Sequence, residues 1–268
     1  MSAHARTHEA ADGVASRGDA RLVDHHREML AGLGVELKAG AAVLDFGCGA
    51  GRRVYQYRKA GYRAFGVDFA DDWSAVERWC TADGLAVPGE SLCRALESGP
   101  YRIPFPNASF DFVFSEQVFE HVQNYDEAIA EIRRVLKPDG CTLHDFPARW
   151  RPIEAHVHVP FAGVWRSRWY LGLWARLGVR NEFQAGLPPD DVTQRNAAYL
   201  STQTMYLSKR EIARHFERYF RTVRFAESLF IRYSWGRLRR LSRIAQMVPG
   251  VDRAVSTFHT RVVFCKVG

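Results

Sequence analysis

A glycine-rich turn placed directly after a short apolar run is the feature that most limits how this chain can fold. Residues 42–46 are apolar apart from one aspartate, as expected of a short buried strand, and Gly47, Gly49 and Gly51 follow at once. Residues 52–59 can then form a helix. Glycines at such a turn let backbone N–H groups approach a ligand, because no Cβ stands in the way. The pattern predicts a strand, a ligand-binding turn and a helix.

An acidic residue at the end of the next predicted strand extends this pattern. Residues 63–68 are predicted to form a second strand, and Asp68 at its end stands 21 residues after Gly47. A carboxylate at this place can accept hydrogen bonds from both hydroxyls of a ribose. We therefore expect a cofactor that contains a nucleoside. The glycines alone would fit an ordinary tight turn between a strand and a helix equally well.

Strands and helices continue to alternate along the rest of the chain. Further strands are predicted at 110–115, 142–146, 223–230 and 261–266, and further helices at 20–33, 73–82, 124–136, 208–220 and 236–247. Strands that are separated by helices favour a parallel sheet with helices on both faces. We predict an α/β, Rossmann-like, doubly wound fold with a mostly parallel sheet.

Residues 147–207 interrupt this alternation and hold four of the seven tryptophans, Trp150, Trp165, Trp169 and Trp174. A structureless loop of roughly sixty residues is rare inside a compact domain. We predict that this segment is an inserted, aromatic-rich and partly helical cap that binds substrate, within a single domain at 20–268. Residues 1–19 are small and polar, and are predicted to be a flexible tail. The helical spacing of the tryptophans favours a cap core, whereas exposed rings would suit a sugar or a flat aromatic acceptor.

The glycine turn and three later segments together resemble one enzyme family. Residues 43–51, Val-Leu-Asp-Phe-Gly-Cys-Gly-Ala-Gly, resemble motif I of the class I S-adenosylmethionine-dependent methyltransferases of type 11. Residues 104–113, 120–122 and 134–140 resemble later motifs of the same family, in the family's order. The resemblance extends over residues 42–146. It implies S-adenosylmethionine as the cofactor and methyl transfer as the reaction.

The resemblance also implies which residues hold the cofactor, in three groups. The first group borders the methionine end and comprises Asp45, Gly47, Cys48 and Gly49. The second group holds the adenosine part and comprises Asp68 at the ribose with Phe69, Leu96 and Glu97 at the adenine. The third group lines the sulfonium side and comprises Ser115, Glu116 and Gln117. Gly99 stands where many relatives have an aspartate, which is why Leu96 and Glu97 are assigned to the adenine.

Methyl transfer to a hydroxyl requires alignment of the reactants and removal of a proton. His144 lies near the end of the predicted strand 142–146, where open α/β sheets bind ligands, and histidine titrates near neutral pH. We predict that His144 is the general base. Glu120 and His121 resemble a recurring pair of the family and are further catalytic candidates. A packing role is the alternative for all three residues.

The cap contains a second candidate cluster, formed by Glu154, His156 and His158. Their alternation would place all three side chains on one side of an extended segment. Such a cluster can bind a divalent metal, hold polar groups of a substrate, or simply be solvated. We predict these residues, together with Trp169 and Tyr206, as the substrate-binding set.

The predicted function is an S-adenosylmethionine-dependent O-methyltransferase that uses a histidine base. The expected acceptor is a hydroxyl of a sugar, an oligosaccharide or another hydroxylated metabolite. One alternative is a membrane-associated methyltransferase of lipids or quinones. A less favoured one is an NAD-dependent oxidoreductase, in which the third glycine would usually come one residue after Gly51. Residues 115–118 lack the Asn/Asp-Pro-Pro-aromatic run usual in enzymes that methylate base amines, so a nucleic-acid acceptor is not expected.

The net charge of +7 comes from one part of the chain. Residues 205–253 contain twelve lysines and arginines against four acidic residues, which predicts a basic face able to contact an anionic membrane surface peripherally. The five cysteines include no Cys-x-x-Cys pair, and the chain has no long apolar segment. We therefore expect a cytoplasmic protein. The sequence leaves its oligomeric state open.

Overall fold

The computed structural model describes residues 20–69, 72–87, 89–98, 101–233 and 250–268. The predicted tail at 1–19 and the predicted basic helix at 236–247 lie outside the described residues. Among the helices that are described, none combines the length and the apolarity that a membrane-spanning segment needs.

A seven-stranded sheet forms the centre of the structure, in the order β3-β2-β1-β6-β7-β9-β8. Strands β3, β2, β1, β6 and β7 are parallel to one another, whereas β9 is antiparallel to both β7 and β8. The strands are β1 Ala42–Phe46, β2 Arg63–Asp68, β3 Cys93–Ala95, β4 Glu97–Ser98, β5 Tyr101–Arg102, β6 Phe110–Glu116, β7 Leu136–Pro147, β8 Thr222–Phe225 and β9 Thr260–Lys266. The short β4 and β5 pair only with each other. The predicted, mostly parallel sheet is confirmed.

Helices cover both faces of this sheet because alternate strand residues point in opposite directions. In β1, Leu44 packs in a cluster with residues of α4 and α7, whereas Val43 packs in a cluster with residues of α1, α2 and α3. The helices are α1 Ala20–Gly32, α2 Arg52–Lys59, α3 Ser74–Ala82, α4 Tyr125–Val135, α5 Arg168–Arg176, α6 Pro189–Thr202, α7 Lys209–Phe216, α8 Glu227–Tyr233 and α9 Val251–Phe258. Two short 3₁₀ helices span Phe119–His121 and Glu182–Gln184. The predicted doubly wound fold is confirmed.

Two predicted strands differ from the observed ones. The strand predicted at 223–230 is wrong beyond Phe225, where β8 ends, because α8 begins at Glu227. A short apolar run is compatible with either a strand or a helix, and tertiary packing decides between them. Here the run packs on α1, where Leu229 lies against Gly32. The strand predicted at 142–146 is longer, since β7 already begins at Leu136 and pairs with β6 through a register shift.

Residues 147–207, called the cap below, contain α5, α6 and the second 3₁₀ helix. The cap has its own cluster of buried apolar side chains, formed by Val157, Val159, Ala162, Leu171 and Leu200. Trp174 packs against this cluster, as predicted for a cap core. Trp165 and Trp169 do not fit that prediction, because they are 51% and 76% exposed.

Candidate cofactor and acceptor site

The strand order reverses between β1 and β6, which are neighbours in the sheet. After β1 the chain continues to β2 and β3 on one side, and after β6 it continues to β7 on the other. Such a reversal opens a crevice at the carboxyl ends of the strands, where α/β proteins bind ligands. Gly47 follows β1, and Gln117 follows β6. The residues predicted to hold the cofactor therefore meet at this crevice.

The turn after β1 has a backbone that only glycine adopts readily. Gly47, Gly49 and Gly51 have φ values of 84°, 51° and 78°. A Cβ added at Gly47 would lie 2.4 Å from a methyl carbon of Val118, and one added at Gly51 would lie 2.8 Å from a methyl carbon of Val76. The turn is therefore closely packed against the side chains of Val118 and Val76, and a larger residue at Gly47 or Gly51 would clash with them.

Asp68 holds this turn in place from the end of β2. The Gly49 N–H donates to Asp68 Oδ2 at 2.7 Å, and Trp73 Nε1–H donates to the Gly49 carbonyl at 3.0 Å. Cys48 is buried, and its thiol donates to the same carbonyl at 3.6 Å. The carboxylate predicted for the ribose is thus anchored beside the glycine turn.

The residues predicted at the adenine lie close to Asp68. Phe69 is 55% exposed, and its ring centroid lies 5.9 Å from that of Tyr101. Leu96 is buried, and its N–H donates to the Asp68 carbonyl at 2.7 Å. The side chain of Glu97 lies outside the described part of the chain.

Asp45 is a buried carboxyl at the edge of the crevice. Its side chain is 2% exposed, and Oδ2 has no hydrogen-bond partner among the residues that the structure describes. Burial raises the pKa of Asp45 to about 7, although Arg53 opposes this rise. A buried acceptor without a donor costs about 1–3 kcal/mol. The ammonium group of S-adenosylmethionine is a donor that fits this atom, so the residues present suit that cofactor.

Glu116 forms a buried ion pair at the end of β6. Arg53 Nε donates to Glu116 Oε2 at 2.7 Å, and His26 Nε2 lies 3.4 Å from Glu116 Oε1. Burial raises the pKa of the Glu116 carboxyl, but Arg53 and His26 outweigh burial and lower it to about 2. Gln117 follows with a φ of 55° and donates to Asp145 Oδ2 at 3.3 Å. Arg53 and His26 occupy no recognised motif, so their part in this ion pair was not predicted from the sequence.

The structure contradicts the prediction that His144 is the general base. Its ring is fully buried against Phe119 and Phe216. Thr142 donates its hydroxyl proton to the Val113 carbonyl, so Thr142 Oγ1 accepts from His144 Nε2 at 2.6 Å. Nδ1 then accepts from Ser115 Oγ at 2.7 Å. Both ring nitrogens form hydrogen bonds inside the core. Neither can therefore take a proton from the hydroxyl that receives the methyl group.

His144 should instead make the stability of the protein depend on pH. Burial lowers its folded pKa to about 3, whereas an unfolded histidine has a pKa near 6.5. The unfolded state therefore binds more protons below pH 6.5, and stability falls as the pH drops towards 3. Between pH 7 and pH 4.5, we expect wild type to lose about 2.5 kcal/mol more of its free energy of unfolding than His144→Gln loses.

Urea unfolding at the two pH values, followed by circular dichroism, measures this difference. His158→Gln removes an exposed histidine and should keep the wild-type dependence on pH. If His144→Gln and wild type lose equal stability between the two pH values, His144 is not buried in its neutral form.

Glu120 lies in the 3₁₀ helix after β6 and faces the cap. The side chain is 1% exposed, and neither carboxylate oxygen has a hydrogen-bond partner among the described residues. Burial raises the pKa of Glu120 to about 7. The Nε2 atom of the neighbouring His121 lies 4.0 Å from Glu120 Oε1. The Nδ1 atom of the same ring lies 2.7 Å from the Gln203 carbonyl oxygen. The Met205 N–H donates to the Glu120 carbonyl at 2.6 Å, which ties the cap to this helix.

The cap adds three of its predicted residues, Glu154, His156 and Tyr206, to Glu120 and His121. His156 Nδ1 lies 2.8 Å from Glu154 Oε1, and the ring centroid of His156 lies 4.8 Å from that of His121. Tyr206 donates its hydroxyl to the same Glu154 oxygen at 2.5 Å. Burial raises the pKa of Glu154, but hydrogen bonds, above all from His156, outweigh burial and lower it to about 2.

The predicted extended arrangement of Glu154, His156 and His158 is wrong. The segment forms a turn in which the His158 N–H donates to the Glu154 carbonyl, and His158 has a φ of 59°. His158 is exposed between two buried valines, so it points away from the other two side chains. Trp169 belongs to the exposed side of α5. Glu154, His156 and Tyr206 remain together, and Glu120 and His121 join them.

Residues 44–143 match a family model described as a methyltransferase domain. The demethylmenaquinone methyltransferase of Thermus thermophilus is 34% identical over 114 residues, which cover 41% of this chain and 49% of that enzyme. The malonyl-[acyl-carrier protein] O-methyltransferase of Serratia marcescens is 28% identical over 141 residues, which cover 49% of this chain and 51% of that enzyme. The chain thus spans about half the length of these curated relatives.

The fold is also similar to that of a solved methyltransferase structure. The structure of a geranyl diphosphate methyltransferase in complex with GPP and sinefungin has a TM-score of 0.52 and a sequence identity of 19%. The match covers 92% of this chain and 78% of that chain. At this identity the likeness shows the shared fold.

Proposed function

We propose that this chain, whose residues 44–143 match a methyltransferase-domain model, is a class I S-adenosylmethionine-dependent methyltransferase that transfers a methyl group to a hydroxyl oxygen of a small molecule. The observation that carries the cofactor assignment is the buried, unpartnered Asp45 Oδ2 beside a glycine turn that Asp68 anchors. The acceptor would lie between the end of β6 and the cap.

Different residues at the crevice would bind different parts of the cofactor. Asp68 would accept hydrogen bonds from the ribose hydroxyls, and the backbone of Gly47 and Gly49 allows a close approach. Asp45 would accept a hydrogen bond from the ammonium group at the opposite end. When bound, S-adenosylmethionine supplies a methyl group on a sulfonium centre, which is a good leaving group. The protein mainly has to align the acceptor oxygen with that methyl group.

The acceptor is assigned to the polar cluster of Glu120, His121 and His156. In the transfer an O–C bond forms, the C–S bond breaks with its electron pair staying on sulfur, and the hydroxyl would lose its proton to the Glu120 carboxylate. Glu120 has two buried oxygens that can accept a hydrogen bond from the hydroxyl and orient it. Sugar and oligosaccharide hydroxyls remain acceptors to test, because the cluster offers several polar contacts.

A lipid-soluble acceptor such as a quinol is the second candidate. Four exposed apolar side chains follow one another at four-residue intervals along α5 and its ends, namely Trp165, Trp169, Leu173 and Leu177. An apolar stripe with tryptophans is typical of surfaces that lie at a membrane interface. The similarity to a demethylmenaquinone methyltransferase agrees with this candidate.

Two measurements test the proposal. Isothermal titration should show binding of S-adenosylhomocysteine and none of NAD. The acceptor class is then found with S-adenosylmethionine labelled in its methyl group, offered with sugars, phenols, and quinols in vesicles. NAD binding without S-adenosylhomocysteine binding would overturn the proposal. Labelling of quinols alone would favour the second candidate.

A further inference from the structure

We propose that Glu120, His121 and His156 bind a divalent transition-metal ion such as Zn²⁺ at the cap side of the crevice. Binding of the ion is independent of the proposed function, whereas its role in activating the acceptor hydroxyl rests on that function. The three ligands differ from the metal set expected from sequence, Glu154, His156 and His158, of which only His156 is retained.

The three proposed ligands lie close together. One donor atom from each of Glu120, His121 and His156 lies within 4.8 Å of the other two. Ligand bonds of about 2.1 Å allow two donors on one ion to lie up to about 4.2 Å apart. Small side-chain movements would therefore close the site. His156 comes from the cap, 35 positions after His121, so the tertiary structure brings the donors together.

Independently of that proximity, Glu120 lacks, among the described residues, the partners that a buried carboxylate needs. Its carboxylate is 1% exposed, and neither oxygen has a hydrogen-bond partner in the described part of the chain. A buried carboxylate without partners is unfavourable, and such groups are usually paired or bind a cation. A metal ion between Glu120 and the two imidazoles would satisfy it.

The two histidines are held in place by contacts at their Nδ1 atoms. The Gln203 carbonyl can only accept, so His121 Nδ1 carries the proton of their 2.7 Å hydrogen bond. Glu154, which also accepts from Tyr206 and from the backbone N–H of Val157, lies 2.8 Å from His156 Nδ1. A hydrogen bond at Nδ1 fixes the orientation of each imidazole ring, and such bonds are typical of metal-binding histidines.

The donor types select the class of metal. Imidazole nitrogen suits zinc, cobalt, nickel and iron, whereas magnesium and calcium prefer sets of oxygen donors. Three protein ligands leave a position for an oxygen of the acceptor, as in catalytic zinc sites. A bound cation would then lower the pKa of the hydroxyl that receives the methyl group.

A second group of three side chains, His26, Glu116 and Asp145, also has donor atoms within 4.8 Å of one another. This group is a poorer metal site because Arg53 already donates to Glu116, and a cation would have to displace it. The oxygens of Glu120 accept no hydrogen bond from any described residue, so an ion there would displace no such donor.

The test uses the full chain without a histidine tag, treated with a chelator and then dialysed. Zn²⁺ alone is titrated against a chromophoric chelator, and Co²⁺ serves as a spectroscopic probe of the ligand set. We expect one tight ion per chain. His156→Ala and Glu120→Gln should each weaken binding by more than about 100-fold, and Glu154→Gln by about 10- to 100-fold. His158→Ala, the matched control in the same turn, should bind like wild type.

Circular dichroism and thermal unfolding check that each variant is folded. Glu120→Gln keeps the size of the side chain and so provides a second test should His156→Ala be unstable. The proposal is overturned if wild type binds no ion, or if His158→Ala weakens binding as much as Glu120→Gln does. Binding of S-adenosylhomocysteine is measured separately with chelator present. Its failure would count against the proposed function and leave the metal site standing.

Discussion

Replacing Asp68 with alanine is expected to weaken the binding of S-adenosylhomocysteine by roughly 100-fold. The carboxylate accepts the Gly49 N–H at 2.7 Å and, in the proposed site, would accept hydrogen bonds from the ribose hydroxyls. Hydrogen bonds to a charged group contribute about 1.5–3 kcal/mol each, and removal of Asp68 also releases the glycine turn. Isothermal titration with S-adenosylhomocysteine measures the loss directly.

Glu77→Ala is the matched control for Asp68→Ala. Glu77 is an exposed acid on the neighbouring α3, so its removal changes the net charge equally without touching the crevice. Asp68→Asn should fall between wild type and Asp68→Ala, because one oxygen remains to accept the Gly49 N–H. Equal affinities for wild type and Asp68→Ala would show that the cofactor does not bind at the end of β2.

Replacing Glu120 with glutamine is expected to lower turnover by about 10²- to 10⁴-fold while the affinity for S-adenosylhomocysteine stays within about twofold of wild type. The amide keeps the size of the side chain but lacks the negative charge that would bind a cation or orient the hydroxyl. Glu120 faces the cap, whereas Asp45 and Asp68 are the residues proposed to hold the cofactor. The loss should therefore appear in kcat and not in cofactor binding.

Transfer of the labelled methyl group to the best acceptor found in the screen measures this effect. Glu182→Gln, an exposed carboxylate elsewhere in the cap, provides the control and should retain turnover. If Glu120→Gln loses the metal ion but keeps full turnover, the ion is structural. If it keeps both, Glu120 has no part in the reaction.

The sequence was sufficient to predict β1, the glycine turn and β2 with their observed limits, because these elements depend on short-range patterns. Gly49 and Asp68 lie at the carboxyl ends of adjacent parallel strands, so their proximity follows once the strands are recognised. The position of β9 between β7 and β8 could not be predicted, since pairing between distant strands leaves no local pattern.

The acceptor side was predicted only in part. Glu120 and His121 belong to a recognised motif, and Glu154 and His156 stood out as a cluster. The turn at 154–158 separates His158 from them, and a backbone bond from Met205 to Glu120 fixes the cap against the 3₁₀ helix. The docking of the cap on this helix depends on packing between residues that are far apart in the chain, and the spacing of residues in the sequence does not reveal it.

By itself, the sequence determined the doubly wound core and the place of the cofactor crevice, because periodicity and turn chemistry act over a few residues. Only the tertiary structure decided which polar side chains face that crevice. His144 sits at the predicted strand end, yet the packing of Phe119 and Phe216 closes over it. Glu120 is also buried, but it lies close to His156 of the cap. The tertiary structure decides this because the burial and the partners of a side chain depend on what the rest of the chain places around it.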